Sequence, residues 1–244
     1  MRIYDDCYEL MSEMGRNLWE MGSIVKPKTY QNKVIEGDES YITRELICEQ
    51  YCLTSLNNVD KLFIYSNSKE WADNEFLERI NNEPLNPGGA WTLRKDIWEQ
   101  FLVDGKFDYT YSERMFDSLR SVISLLKNDP DTRKAVLPIF NGEYNNDCKY
   151  YDGSKRIPCS MYYDFLVREN QKGEKVLNIC YHQRSSDFVT HFGNDVYLAW
   201  KLMEFVANRI GVKAGYLYHT IDSIHSYKKD WILLKTSLND LRGY

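Results

Sequence analysis

The stretch from Ser160 to Gly211 constrains the fold more than any other. Ser160 to Arg168 alternates, placing Met161, Tyr163, Phe165 and Val167 on one face. A polar turn, Glu169-Asn170-Gln171-Lys172-Gly173-Glu174, follows, and Lys175 to Gln183 is strand-like again. Period-two patterning on both sides of a polar turn predicts an antiparallel hairpin. His191 to Ile210 then carries a helical period, with Val196, Ala199, Leu202, Val206 and Ile210 facing inward and Gly211 as the C-terminal stop.

The remaining segments fit the same mixed pattern. Tyr4 to Met21 is expected to be a helix. Glu39 to Leu56 is also expected to be helical, from the spacing of Ile42, Leu46 and Cys52. Residues 81–90 (NNEPLNPGGA) form a loop. Glu113 to Asn128 is an amphipathic helix, with Met115, Leu119, Val122, Leu125 and Leu126 on one side, stopped by Asn128-Asp129-Pro130-Asp131. Ala135 to Phe140 and Tyr216 to Ile221 are strands, and the tail is helical. Helices and antiparallel strands mix without βαβ regularity, so the expected class is α+β, in one domain over residues 1–244.

Composition narrows the function. Apolar residues make up 43%, enough for a substantial core, and no 18-residue apolar run exists, so no membrane-spanning helix is expected. The start, MRIYDDCYELMSEMG, is acidic and lacks the apolar core of a signal peptide, which points to the cytoplasm. A net charge of −5 disfavours a nucleic-acid partner, although a local basic cluster can still hold one small phosphate. The six cysteines contain no C-x-x-C, and the four histidines are not at ligand spacing. No metal and no disulfide framework are expected. Each cysteine is therefore buried filler or a nucleophile.

Five short segments then stand out together. They are Tyr41-Ile42-Thr43-Arg44-Glu45-Leu46; Asn128 to Lys134, containing Arg133-Lys134; Pro158-Cys159-Ser160; Gln183-Arg184-Ser185-Ser186-Asp187 through Asn194-Asp195; and His225-Ser226-Tyr227. In this order, over about Tyr41 to Tyr227, the sequence resembles the thymidylate synthase family, and within it the deoxycytidylate and cytidylate hydroxymethylases.

That resemblance implies a three-layer α+β sandwich with a mixed sheet, assembled as a homodimer. It implies a pyrimidine nucleoside monophosphate as substrate and 5,10-methylenetetrahydrofolate as one-carbon donor. Cys159 would attack C6 of the ring, because C5 becomes nucleophilic only once C6 is saturated. Arg184 and Ser185 would hold the phosphate, with Arg133 and Lys134 reaching it across the dimer interface. Synthases usually carry Arg-Arg there, and lysine gives up the bidentate fork. Lys28 is a further candidate for a phosphate or folate contact. Glu45, expected on a helix, would be the general acid/base that organises water at the pyrimidine. Trp98 would lie near the folate, Asp187 would bind its pterin ring, and Tyr109 would join the proton-transfer network. His225 and Tyr227 would bind the sugar 3′-hydroxyl, a contact common to dCMP and CMP.

The choice of base rests on Asp195. Eight residues after the pterin-binding carboxylate, synthases place an asparagine that reads uracil; here Asp195 occupies that place, with Asn194 just before it. An ionised carboxylate only accepts hydrogen bonds, so it suits the 4-amino group of cytosine and repels O4 of uracil. This aspartate together with the hydroxymethylase-like Glu45 segment makes the resemblance imply C5 hydroxymethylation of dCMP or CMP. Thymidylate synthase or another C5 methylase is the alternative, and a non-enzymatic nucleotide- or RNA-binding module is the third. Two stretches depart from the family pattern: Phe140 to Ile157 and the hairpin turn at Gln171–Lys175 are both longer. Leu241-Arg242-Gly243-Tyr244 also differs from the tail that closes synthases over folate.

Overall fold

The computed structural model describes residues 1–240, with side chains as far as Lys235. The C-terminal tetrapeptide singled out above lies outside the described residues. In chain order the elements are β1 (Arg2–Asp6), α1 (Cys7–Met21), β2 (Ser23–Val25), β3 (Thr29–Tyr30), β4 (Lys33–Val34) and β5 (Thr43–Asn57). Then come α2 (Lys69–Arg79), α3 (Lys95–Trp98), α4 (Tyr111–Asn128), β6 (Val136–Pro138), β7 (Ser160–Glu169) and β8 (Lys175–Gln183). The last are β9 (Ser186–Asp187), α5 (Gly193–Ile210), β10 (Lys213–Tyr227) and α6 (Trp231–Asp240).

The main sheet runs β1-β5-β10-β8-β7-β6, with β2 on β5 and β9 on β10. It is mixed: β1/β5 and β8/β10 are parallel, whereas β5/β10, β7/β8 and β6/β7 are antiparallel. This is the expected α+β class. The hairpin forms as predicted, with Tyr163, Phe165 and Val167 buried on one face. A register shift between Ser160 and Tyr162 takes Met161 out of that alternation. Helices start where side chains satisfy their free N–H groups: Asp6 caps α1, Ser68 caps α2, and Thr110 with Glu113 forms a capping box on α4. Gly211 ends α5 with φ +80, a backbone conformation that side-chain-bearing residues rarely adopt.

Two elements depart from expectation. Residues 4–6, expected to open the first helix, lie in strand β1, and Asp6 caps the helix that starts at Cys7. The helix predicted over Glu39–Leu56 is a single 3₁₀ turn (Glu39–Tyr41) followed by the 15-residue strand β5. β5 is paired on both edges, by β1 and β10, and in its middle it buries Tyr51, Cys52 and Leu53 in succession rather than alternating, which requires cover on both faces. A central strand of this kind loses its period-two signature, and chance i, i+4 spacing can then imitate a helix. Cys48, at φ +56, adds an irregularity within the strand.

The strand pairing also builds the site. β10 runs parallel to β8 up to Gln183, and after two intervening residues it takes up β9 as its parallel neighbour. Arg184 and Ser185 occupy the break. There the Arg184 N–H bonds the Cys159 carbonyl at 2.9 Å, which holds the Pro-Cys segment at the sheet end.

Candidate active site

A cavity of about 390 Å³ opens at this break. Cys159, Arg184, Ser185, Asp187, Asp195, His225, Tyr227, Tyr109 and Trp98 all line it. Segments as distant as Trp98 and His225 in sequence therefore face one space.

Arg184 is held tightly. Its Nε donates to the Pro158 carbonyl at 2.8 Å, and Nη2 donates to the Ile157 carbonyl at 3.2 Å while lying 3.9 Å from Cys159 Sγ. Gln31, between β3 and β4, brings its Nε2 to 4.0 Å from the same sulfur. Two N–H donors thus reach the sulfur from opposite parts of the chain.

Asp195 ends a directed relay. Its Oδ2 accepts from Gln183 Nε2 at 2.9 Å and from Ser186 Oγ at 3.1 Å. Gln183 therefore turns Oε1 toward His219 Nε2 at 2.9 Å, and His219 Nδ1 meets the Tyr51 hydroxyl at 2.8 Å. Burial pushes His219 down to about 3, so the ring is neutral near pH 7. A neutral imidazole has one donor and one acceptor. The polarity follows: Tyr51 donates to Nδ1, Nε2–H donates to Gln183, and Gln183 donates to Asp195. Burial raises the Asp195 carboxyl to about 6, against the hydrogen bond from Gln183 and the charge of Arg79. What exposure Asp195 retains is toward the cavity. Its Oδ1 has no protein hydrogen bond among the described residues.

Three further groups are set by burial. Asp187 accepts from the backbone N–H groups of Val189 and Thr190, yet burial leaves its carboxyl raised. His225 is lowered to about 4 and stays neutral. Tyr227 packs edge-on against Tyr30, Tyr41 and His225, and burial pushes its phenol upward. Trp98 stacks on Trp71 with 5.9 Å between ring centroids, and its Nε1–H is buried with no partner.

Other expected site residues lie elsewhere. Glu45 is on β5, not on a helix; its carboxylate bonds the Ser223 hydroxyl beside His225, outside the cavity wall. Arg133 and Lys134 are exposed and do not line this chain's cavity. Asn194 is buried behind the site, its Oδ1 accepting from the Ser68 N–H. Lys28 is exposed and paired with Glu36 at 3.0 Å.

Among the carboxylates that do line the cavity is Glu75, on α2. It pairs with Arg79 Nε at 2.8 Å, and burial raises its carboxyl while Arg79 opposes the rise. The Arg79 guanidinium lies 4.0 Å from the Tyr111 ring centroid. Tyr111 bonds the Ser160 hydroxyl, which bonds Tyr181. Glu75 and Arg79 stand at i, i+4 on one helix, a spacing visible in the sequence. Nothing in the sequence marks that pair as facing Cys159 rather than solvent. Among the described residues no cluster of metal-ligating side chains occurs, and no helix is long and apolar enough to cross a membrane.

Comparison with known proteins fits this geometry. The sequence pattern of the thymidylate synthase family matches residues 45–241. A Methanosarcina barkeri protein named "Putative thymidylate synthase" is 26% identical over 178 residues, covering 67% of this chain and 73% of that protein. The deoxyuridylate hydroxymethyltransferase of Bacillus phage SP01 is 30% identical over 149 residues, covering 54% of this chain and 37% of that protein. Thermostable thymidylate synthase A from Bacillus subtilis superposes with a TM-score of 0.70 at 17% identity, covering 96% of this chain and 84% of that one. The shared fold, the match over most of the chain and the cysteine at the sheet break agree: the chain belongs to the thymidylate synthase family of one-carbon transferases.

Proposed function

We propose that the protein hydroxymethylates C5 of a cytidine nucleotide, dCMP or CMP. The observation that carries this reading is Asp195, whose carboxyl is raised to about 6 at the end of an oriented relay and lines the same cavity as Cys159.

Cys159 adds to C6 and makes C5 the nucleophile. Bound 5,10-methylenetetrahydrofolate supplies the one-carbon unit at the formaldehyde level. The cavity suits such a group: Trp98 offers a flat face and an unpartnered N–H, and Asp187 can accept from ring N–H groups. Arg184 and Ser185 hold the phosphate beside the nucleophile. The exposed Arg133 and Lys134 reach the site of a second copy in a homodimer, which explains why they serve no cavity of their own chain. His225 and Tyr227 take the sugar hydroxyl, and Tyr109 supports proton transfer. Asp195 accepts the 4-amino N–H when ionised and donates to N3 when protonated, a donation that withdraws electrons from C6. Glu75, with its raised carboxyl, replaces Glu45 as the general acid/base that removes the C5 proton and activates water.

The test is turnover of an equimolar mixture of dCMP, CMP, dUMP and UMP with methylenetetrahydrofolate, read by mass. Hydroxymethylated cytidylate is the expected product. A methylated uridylate would replace this reading with a thymidylate synthase, the name carried by several similar proteins. A hydroxymethylated uridylate would leave the product and overturn the base. Turnover of none, with Cys159→Ser binding nucleotide normally, would leave a binding protein.

A further inference from the structure

The longer loop before Cys159 places Arg156 in the cavity wall, where it is 6% exposed. Its guanidinium lies 4.4 Å from the Phe101 ring centroid, 5.2 Å from that of Trp98 and 5.4 Å from that of Tyr109. The backbone N–H of Arg156 donates to Asp108 Oδ2 at 2.9 Å, which fixes the chain at this point. The side chain itself makes no hydrogen bond or ion pair among the described residues, and its buried Nε has no partner.

The carboxylates of the same wall are otherwise engaged. Glu75 pairs with Arg79, Glu78 accepts from Gly89 and Ala90, and Asp152 accepts from Ser154. Asp187 accepts from Val189 and Thr190, and Asp195 from Gln183 and Ser186. A buried charge is ordinarily paired. Aromatic rings stabilise a cation through their faces, but they offer no acceptor to its five N–H donors. A planar oxyanion would satisfy a guanidinium bidentately.

We infer that Arg156 forms an oxyanion subsite in the cavity, separate from Arg184, which takes the phosphate or carboxylate of a bound substrate. Arg184 gives Nε and Nη2 hydrogen bonds to the Pro158 and Ile157 carbonyls and keeps Nη1, whereas the Arg156 side chain makes no hydrogen bond among the described residues. The inference rests on the proposed function for its ligands: the nucleotide phosphate and the glutamyl carboxylates of folate are the two sources of an oxyanion there.

Calorimetric titration of the full chain with two matched pairs of probes tests it. The pairs are dCMP against deoxycytidine, and tetrahydrofolate against 6-methyltetrahydropterin, which lacks the carboxylates. Arg156→Gln should weaken the charged member of one pair at least thirtyfold and its uncharged counterpart less than threefold; the pair affected names the source. Arg156→Lys, which keeps the charge without the fork, should fall between, and it carries the test alone if Arg156→Gln does not fold. Charged probes bound within threefold of the unmodified protein would overturn the inference. So would equal weakening of both members of a pair, as a packing role predicts. If the unmodified protein binds neither pair, the proposed function fails together with this subsite; if it binds them and the variants do not discriminate, only the subsite fails.

Discussion

The cavity has two walls of different construction. One is the end of the sheet, where Cys159, Arg184, Asp187, Asp195, His225 and Tyr227 project from the residue before β7, from β9, β10, the start of α5 and the break after β8. The other is made by loops and short helices and carries Trp98, Phe101, Tyr109 and Arg156. On the sheet wall most polar groups are tied to protein, as Arg184, Asp187 and Asp195 show. On the loop wall the Trp98 Nε1–H and the Arg156 Nε are buried without partners. Neighbouring strands fix a group by ladder and side-chain bonds together, so the sheet wall is preorganised before any substrate arrives. On the proposed reading, the satisfied groups would set the chemistry and the unsatisfied ones would meet ligand atoms.

The largest expected effect tests the sheet wall. Cys159→Ser should lower turnover at least ten-thousandfold, about 5 kcal/mol, with nucleotide affinity retained in equilibrium titration; weakened binding to match would show that the wall's order depends on the thiol. Next comes the contrast of two glutamates. Glu75→Gln, which keeps an acceptor for Arg79, should reduce kcat about a thousandfold, while Glu45→Gln should stay within about threefold. The reverse ranking in steady-state assays would return the general acid/base to β5.

The loop wall is tested by its own anchor. Asp147 is fully buried, bonds both terminal nitrogens of Arg114 at 2.8 Å and accepts from the Asn141 N–H at 2.8 Å. Asp147→Ala leaves a charge uncompensated and should cost about 3 kcal/mol in urea unfolding. No change in midpoint would mean that the extended loop is held by other contacts.

The smallest effect is a pH dependence. The Asp195 carboxyl is raised to about 6 in the folded chain, against about 4 for an ordinary aspartate in the unfolded one. The folded state therefore holds the extra proton between those values. The associated stability is complete below about pH 4 and is lost as pH rises through about 6, in all about 2 kcal/mol once cavity water is allowed for. Asp195→Asn should remove that slope from the unfolding free energy between pH 4 and 7. An unchanged slope would assign the titration elsewhere, with Asp230, also raised to about 6, as the next group to test.

Much of this was legible in the sequence. The hairpin from Ser160 to Gln183 and the helices α4 and α5 are one-sided elements, so their burial repeats with their geometry. β5 buries consecutive residues in its middle, so the periodic signal that would have marked a strand was absent. Glu45 is named by its motif with a helix expected there; on the strand Thr43–Asn57 its carboxylate instead accepts from the Ser223 hydroxyl. The motif residues on the sheet end could be named because each occupies a short, recognisable segment. Glu75, Arg156 and Gln31 could not, because what distinguishes them is contact across long stretches of chain. The Tyr51–His219–Gln183 relay was equally hidden, since its members look like ordinary strand residues until β5, β10 and β8 lie side by side.

That relay has a consequence for how the pocket could change its substrate. With the Gln183 amide turned Nε2 toward position 195 and Oε1 toward His219, a residue there meets it best with an oxygen. An asparagine placed there would have its amide turned the same way, oxygen inward and NH2 toward the cavity, where it would donate to O4 of uracil. On the proposed reading of Asp195, the three residues behind it would hold one half of the recognition code and leave one atom free to vary. Switching between the two pyrimidines would then need a single exchange of oxygen for nitrogen, with nothing else in the wall rebuilt.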